Sequence, residues 1–185
     1  MQHIPGLIVI PNFVSGPGEA ALLSIVDANP WMDNIRRRVQ HYGYIYDYKR
    51  RTIDPSMKLG PLPEWGAVIA ERLYDEGWIG VVPDQMIVNE YLPGQGIAHH
   101  IDCEPCFGDT ILSLSLGSDC LMDLIHSRTA AKFIVHLPRR SLLVMRGTAR
   151  YDWQHGIAPR KIDTINGQQL RRERRVSLTF RQVIT

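Results

Sequence analysis

Residues Asn89 to Asp102 read NEYLPGQGIAHHID. Asn89 and Tyr91 alternate about Glu90, as side chains on one face of a β-strand do. Pro93-Gly94 then supplies a turn that brings the chain back through His100-x-Asp102. If the return is also a strand, His100 and Asp102 point to the same face, and a third donor, His155, arrives from a distant strand. Two imidazoles and one carboxylate with open positions between them are the ligand set of a non-haem Fe(II) oxygenase. His-x-Asp by itself is only a three-residue pattern in a chain with seven histidines. Its plain alternative is a surface histidine beside a solvated aspartate, so the surrounding segments have to decide.

Downstream of Val82 the chain is a run of short alternating strands punctuated by Gly and Pro. Predicted strands cover 85–91, 110–116, 120–125, 132–137, 141–146, 153–157 and 174–183. Leu112-Ser-Leu-Ser-Leu116 is the cleanest period-two run. Upstream, residues 6–14 read as a strand running into a turn. Ser15, Pro17 and Glu19 then open a helix continued by residues 20–28. A second helix is predicted over 63–76, with Trp65, Val68, Ile69 and Leu73 at helical spacing and Gly77 ending it. Seven strands after two helices predict a mainly β fold with flanking helices, a sandwich or barrel.

The last predicted strand carries a second constellation. Val176, Leu178 and Phe180 alternate with Arg175, Ser177, Thr179 and Arg181. Arg175 and Arg181 then share a face at a rise of roughly 20 Å, and inward-leaning guanidinium forks with two hydroxyls suit a dicarboxylate. An exposed polar face on an edge strand is the alternative. Asn89 and Tyr91 offer an amide and a phenol to an oxygen-rich ligand, or serve as a structural amide and a packed ring.

Composition bounds the rest. The chain has 185 residues, 44% hydrophobic and 22% charged, with a net charge of +2. It is read as one domain over 1–185, with residues 83–185 as the β core and 1–82 as an N-terminal strand–helix and lid extension. No apolar run reaches membrane length and the first residues lack a basic leader, so neither a membrane nor secretion is expected. Three cysteines, an odd number, favour a reducing compartment over a disulfide scaffold, and the expected location is cytoplasmic. Cys103-x-x-Cys106 has no second pair to complete a zinc site. Ser141 sits in no nucleophile elbow, and no phosphate-binding glycine motif is present. No obligate protein partner is evident.

Taken together, NEYLPGQGIAHHID, LPRRSLLVMRGTARYDWQHGI and RRVSLTFR resemble the AlkB family of Fe(II)- and 2-oxoglutarate-dependent dioxygenases. The texture is most similar to the AlkB-like domain of tRNA wobble-uridine hydroxylases. The resemblance covers roughly the last hundred residues and extends more weakly through residues 36–48 and the preceding strand–helix. It implies a double-stranded β-helix, or jelly roll, holding Fe(II) through His100, Asp102 and His155. It implies 2-oxoglutarate bound by Asn89, Tyr91, Arg175 and Arg181, with Ser177 and Thr179 as further contacts, although many relatives have Asn at the position of Ser177. O₂ is the second co-substrate, and the implied reaction is hydroxylation or oxidative dealkylation. His99 should face away from His100.

Substrate signals lie upstream, where residues 36–51 read RRRVQHYGYIYDYKRR. Tyr42, Tyr44, Tyr46 and Tyr48 recur with period two, flanked by Arg36, Arg37, Arg38, Lys49, Arg50 and Arg51. Aromatic faces stack bases and cations contact phosphates. In the family this region forms a nucleotide-recognition lid, so Tyr42, Tyr44, Tyr46 and Arg38 are candidate substrate contacts. The alternative is a β-ribbon packed on the core by its tyrosines. Glu104 stands where DNA-repair members carry an acidic residue near the target base, and is equally readable as a loop carboxylate. Arg150 binds substrate or, the preferred reading, braces the site. The expected substrate is an alkylated or modified nucleobase in DNA or RNA. A protein side chain or small molecule is the alternative, and a non-catalytic nucleic-acid-binding module is the third reading.

Overall fold

The computed structural model describes residues 3–33 and 36–184. In chain order the elements are β1 (Leu7–Ile10), α1 (Gly16–Ala28), β2 (Val39–Tyr42), α2 (Glu64–Asp75), β3 (Gln85–Tyr91), β4 (Ile97–His100), β5 (Thr110–Leu116), β6 (Cys120–His126), β7 (Lys132–Leu137), β8 (Leu142–Arg146), α3 (Thr148–Tyr151), β9 (Trp153–Ile157), β10 (Ile162–Ile165), β11 (Gln168–Arg171) and β12 (Arg175–Arg181). One antiparallel sheet runs β1-β8-β5-β12-β3-β2 and a second runs β4-β9-β6-β7, with β10-β11 as a separate hairpin. The two large sheets enclose one apolar cluster, which joins Ile111, Leu143 and Met145 of the first to Met122, Leu124 and Ile157 of the second. This is the predicted jelly roll.

Period two explains why the six-stranded sheet is two-sided. Leu112, Leu114, Leu116, Val176, Leu178 and Phe180 are all fully buried on its outer face, against α1 and α2. Their alternates, Ser113, Ser115, Arg175, Ser177 and Thr179, point inward and are buried as well. Most of the hydrophobic stabilisation of this sheet therefore lies on the helix side, which leaves the inner face available for polar chemistry. The helices form as their ends predict. Ser15 caps α1 by accepting from the Gly18 N–H at 3.1 Å. Gly77, at φ +75°, stands just past the end of α2. Val68 is exposed despite its helical spacing with Ile69 and Leu73.

Strands 85–91, 110–116, 132–137 and 153–157 match the expectation, and the others differ by a residue or two. Of three further short strands, β4 is the return strand considered for His100-x-Asp102, whereas β10 and β11 were not foreseen. β4 is four residues long and half-exposed. The β10–β11 hairpin turns at Asn166-Gly167, both at positive φ, an Asn-Gly hairpin signal that the sequence carries openly. The tyrosine row also differs from a continuous ribbon. β2 ends at Tyr42, because Gly43 takes φ +79° where an added Cβ would lie 1.9 Å from the Asp84 carbonyl oxygen. Beyond it only isolated bridges remain, Tyr44 with Lys58 and Asp47 with Thr52. Residues 1–82 contribute both edges of the six-stranded sheet, β1 and β2. Among the described residues, no helix is long and apolar enough to cross a membrane.

Phe180 is fully buried between the sheet and the helices. Phe180→Ala should cost about 3–5 kcal/mol in urea unfolding, through lost burial and the cavity left behind.

Candidate active site

The antiparallel pairing of β4 with β9 sets His100 directly opposite His155. Their rings lie side by side, centroids 4.4 Å apart. Asp102 follows two residues after His100, just beyond the end of β4, so the shared strand face is only half realised and the turn completes it. Its Oδ1 lies 3.4 Å from His100 Nε2 and 3.8 Å from His155 Nε2. All three donor atoms fall within 4.8 Å of one another. His100 Nδ1 donates to the Ala98 carbonyl at 2.8 Å, which leaves the Nε2 lone pair for the cluster.

Electrostatics favour the ligating forms. The second Asp102 oxygen, Oδ2, accepts from Arg181 Nε at 2.8 Å. Burial alone would raise this carboxyl, but the Arg181 guanidinium and the two imidazoles outweigh it and hold Asp102 well below the usual carboxylate range. Burial, reinforced by the neighbouring His100, pushes His155 down to about 3, so its imidazole is neutral. Arg150 is buried and donates to the Asp102 carbonyl at 2.9 Å and to the Cys103 carbonyl at 3.4 Å, a brace on the ligand loop.

A cavity of about 330 Å³ opens from this cluster. Its floor is the inner face of β12 and β3, where the register sets Arg175 opposite Tyr91 and Ser177 opposite Asn89. Arg175 donates to Ser115 Oγ at 2.7 Å and lies 5.4 Å from the Tyr91 ring centroid. Its Nε is buried without a partner among the described residues, a donor that fits a ligand carboxylate. Ser177 Oγ pairs with Ser113 Oγ at 2.8 Å, and Thr179 also lines the space. The two arginines thus differ from the matched pair of the sequence: Arg181 is engaged by Asp102, while Arg175 keeps a free donor.

At the rim stand Arg37, Tyr46, Tyr48 and Arg51. Tyr46 and Tyr48 meet edge to face at 5.1 Å, and Tyr46 leans on Phe107 at 5.6 Å. Arg37 donates to Asn89 Oδ1 at 2.9 Å, with its guanidinium near the rings of Tyr48 (5.7 Å) and Tyr91 (5.9 Å). The Tyr48 hydroxyl is buried without a partner among the described residues. Arg37, Arg51 and Tyr48 were in the basic-aromatic stretch but not among the singled-out candidates, because period two does not tell which residues face a cavity.

Other candidates lie elsewhere. Tyr42 packs on Trp65 and donates to Gln40 Oε1 at 3.0 Å. Tyr44 is buried in the inter-sheet cluster, with the Lys58 ammonium 5.7 Å from its ring centroid. Arg38 holds the buried Glu90 through two hydrogen bonds of 2.6 and 2.8 Å. Glu104 is exposed on the turn after Asp102, and His99 is exposed beside Gly156. None of the five lines the cavity. Cys103 and Cys106, unpaired in the sequence reading, are joined by a disulfide.

The comparisons agree with this geometry. The family model described as the 2OG-Fe(II) oxygenase superfamily matches residues 26–181. An Arabidopsis thaliana protein, "Alkylated DNA repair protein ALKBH8 homolog", is 41% identical over 98% of this chain and 59% of its own length. A Mus musculus protein, "tRNA (carboxymethyluridine(34)-5-O)-methyltransferase ALKBH8", is 40% identical over 97% of this chain and 30% of its own length. The solved structure "The structure of OsALKBH1" superposes with a TM-score of 0.73 at 19% identity, over 98% of this chain and 99% of that one. The chain therefore belongs to the 2OG-Fe(II) oxygenase superfamily, and its sequence is similar to those of ALKBH8-type proteins. That superfamily is named for Fe(II) and 2-oxoglutarate, and the His100, Asp102 and His155 donors fit such a metal ion. The chain spans well under two thirds of the Arabidopsis and mouse relatives.

Arg181→Leu strands the Asp102 carboxylate and should lower stability by about 3–5 kcal/mol, measured by urea unfolding. His41, edge-on to Tyr48, is pushed by burial from 6.5 to about 4. Between those values unfolding takes up a proton there, so stability falls as pH drops from 6.5 toward 4. In His41→Gln the proton uptake on unfolding at pH 5 should shrink by about one, read from the slope of stability against pH.

Proposed function

We propose that this enzyme oxidises an alkylated or modified nucleobase in DNA or RNA, with His100, Asp102 and His155 holding Fe(II). The observation that carries the substrate class is the rim. Tyr46 and Tyr48 present aromatic surface at the cavity, Arg37 and Arg51 line it with them, and Lys49 and Arg50 stand exposed beside them. A base entering the cavity meets aromatic faces while its flanking phosphates meet cations. The names of the Arabidopsis and mouse relatives, a DNA repair protein homologue and a tRNA methyltransferase, point to the same class.

When bound, the iron and 2-oxoglutarate supply the activation of O₂ that oxidises a substrate C–H bond. The chain supplies the geometry. Arg175, whose Nε has no partner among the described residues, would hold a carboxylate of 2-oxoglutarate, assisted by Asn89, Tyr91, Ser177 and Thr179. Arg181 keeps Asp102 ionised and fixes Oδ2, so that Oδ1 faces the histidines. Ile111, Met122, Leu143 and Ile157 wall the space with apolar surface that excludes water. In this reading residues 1–185 act as one catalytic domain, with 83–185 carrying the metal and co-substrate groups and 1–82 the rim. A cytoplasmic location is part of the proposal.

Purified protein with Fe(II), ascorbate and 2-oxoglutarate should release succinate, and His100→Ala or Asp102→Ala should abolish release. Arg175→Met should raise KM for 2-oxoglutarate about tenfold or more, the scale of a lost charge-assisted hydrogen bond. A panel of alkylated single- and double-stranded DNA and RNA oligonucleotides, followed by nucleoside mass spectrometry, tests the substrate. Stimulated succinate release and loss or oxidation of the modification are expected. An inert panel, with succinate release intact, defeats the nucleobase reading and leaves a protein or small-molecule substrate.

A further inference from the structure

We propose that Cys103 and Cys106 form a redox-active pair whose oxidation state sets how tightly Asp102 holds its metal. The inference rests on the reading of Asp102 as an iron ligand. The bonded cysteines are three residues apart with a Cα–Cα separation of 5.2 Å, and Cys103 follows Asp102 directly. Both are buried, but Cys103 lines the cavity and is reached from it. The third cysteine, Cys120, is buried on β6. The only cluster of metal-ligating side chains among the described residues is the His100, Asp102 and His155 triad, so the pair is not half of a zinc site.

The bond closes a turn that has little room to relax. The N–H groups of Cys106 and Phe107 both donate to the Cys103 carbonyl at 3.2 Å. Arg150 grips the Asp102 and Cys103 carbonyls from below. Arg51, from the rim, donates to the Ile101 carbonyl at 3.1 Å. On the far side Phe107 bridges to Val183, and the Ile184 N–H donates to the Cys106 carbonyl at 2.9 Å. Breaking the bond turns two bonded sulfurs into non-bonded atoms that must move apart. With the turn anchored on both sides, the displacement passes to the adjacent Asp102 and, through Ile101, to Arg51. Closing the bond removes that freedom and holds the carboxylate against the two histidines.

The chemistry balances with a hydroperoxide as oxidant. The two thiols give up two electrons and two protons, the S–S bond forms, the O–O bond breaks, and two waters leave when the oxidant is hydrogen peroxide. A small dithiol reverses the step by exchange and is itself oxidised to a disulfide. Burial restricts the pair to reagents that fit the cavity, so peroxide and dithiothreitol are the probes.

Full-length protein is oxidised with hydrogen peroxide or reduced with dithiothreitol and desalted under nitrogen. Alkylation under denaturing conditions and mass spectrometry should count one free thiol in the first sample and three in the second. Mn(II) binding in the presence of 2-oxoglutarate, followed by electron paramagnetic resonance of the free ion, should be about tenfold weaker in the reduced form, within the ordinary range of coupling between two sites. The Cys103→Ser/Cys106→Ser double variant should bind like reduced wild type whatever the treatment. The wild-type comparison stands alone if that variant misfolds. Three free thiols after peroxide, or equal Mn(II) affinity in two forms shown to differ in thiol count, overturns the proposal. Mn(II) binding to neither form instead defeats the metal-site reading, and the proposal with it.

Discussion

The structure depends on one buried carboxylate shared by two sheets. Asp102 leaves the end of β4, in the four-stranded sheet, and its Oδ2 is taken by Arg181 on β12, in the six-stranded sheet. Its other oxygen faces His100 on β4 and His155 on β9. A carboxylate this deeply buried has to be paired or it protonates. The pairing therefore ties the sheets together at the mouth and keeps the charge that a divalent cation requires. Arg150 repeats the logic on the backbone, taking the carbonyls of Asp102 and Cys103.

Such a polar interior is sustainable because the fold separates its two tasks. On the outer face of the six-stranded sheet, alternate residues of β3, β5, β8 and β12 form a dry core with α1 and α2. On the inner face β3, β5 and β12 present Asn89, Ser113, Ser115, Arg175, Ser177 and Thr179. Those groups satisfy one another in pairs, Ser113 with Ser177 and Arg175 with Ser115, and among the described residues leave the Arg175 Nε unspent. Buried donors without partners are costly in a core and useful in a site, since a ligand carboxylate satisfies them without displacing a protein partner.

The rim obeys a different constraint. Gly43 turns the chain after β2, so four tyrosines at even spacing go to different places. Tyr42 joins the helix-side cluster and Tyr44 the inter-sheet cluster, while Tyr46 and Tyr48 reach the cavity. Arg38 turns to Glu90 on the outer face of β3, and its neighbour Arg37 turns to Asn89 on the inner face. Adjacent residues on an extended chain point to opposite sides, and here the two sides are a structural ion pair and a binding cavity.

The sequence by itself determined which strands have a polar inner face, because side-chain alternation is a local property of extended backbone: Leu112 to Leu116 and Arg175 to Arg181 show it directly. It also determined the donor types at His100, Asp102 and His155, and through the pattern of motifs the resemblance to the AlkB family. It carried the Asn166-Gly167 hairpin too, as a signal left unread. Only the tertiary structure decided which donors meet. The pairing of His100 with His155 depends on β4 joining β9, and the engagement of Arg181 by Asp102 depends on two sheets closing on each other. The choice of Arg37, Tyr48 and Arg51 for the rim, and of Tyr42 and Arg38 for packing, rests on one glycine turn and on which face of β3 each residue meets. These are long-range contacts, set by packing between segments, and no local periodicity encodes them.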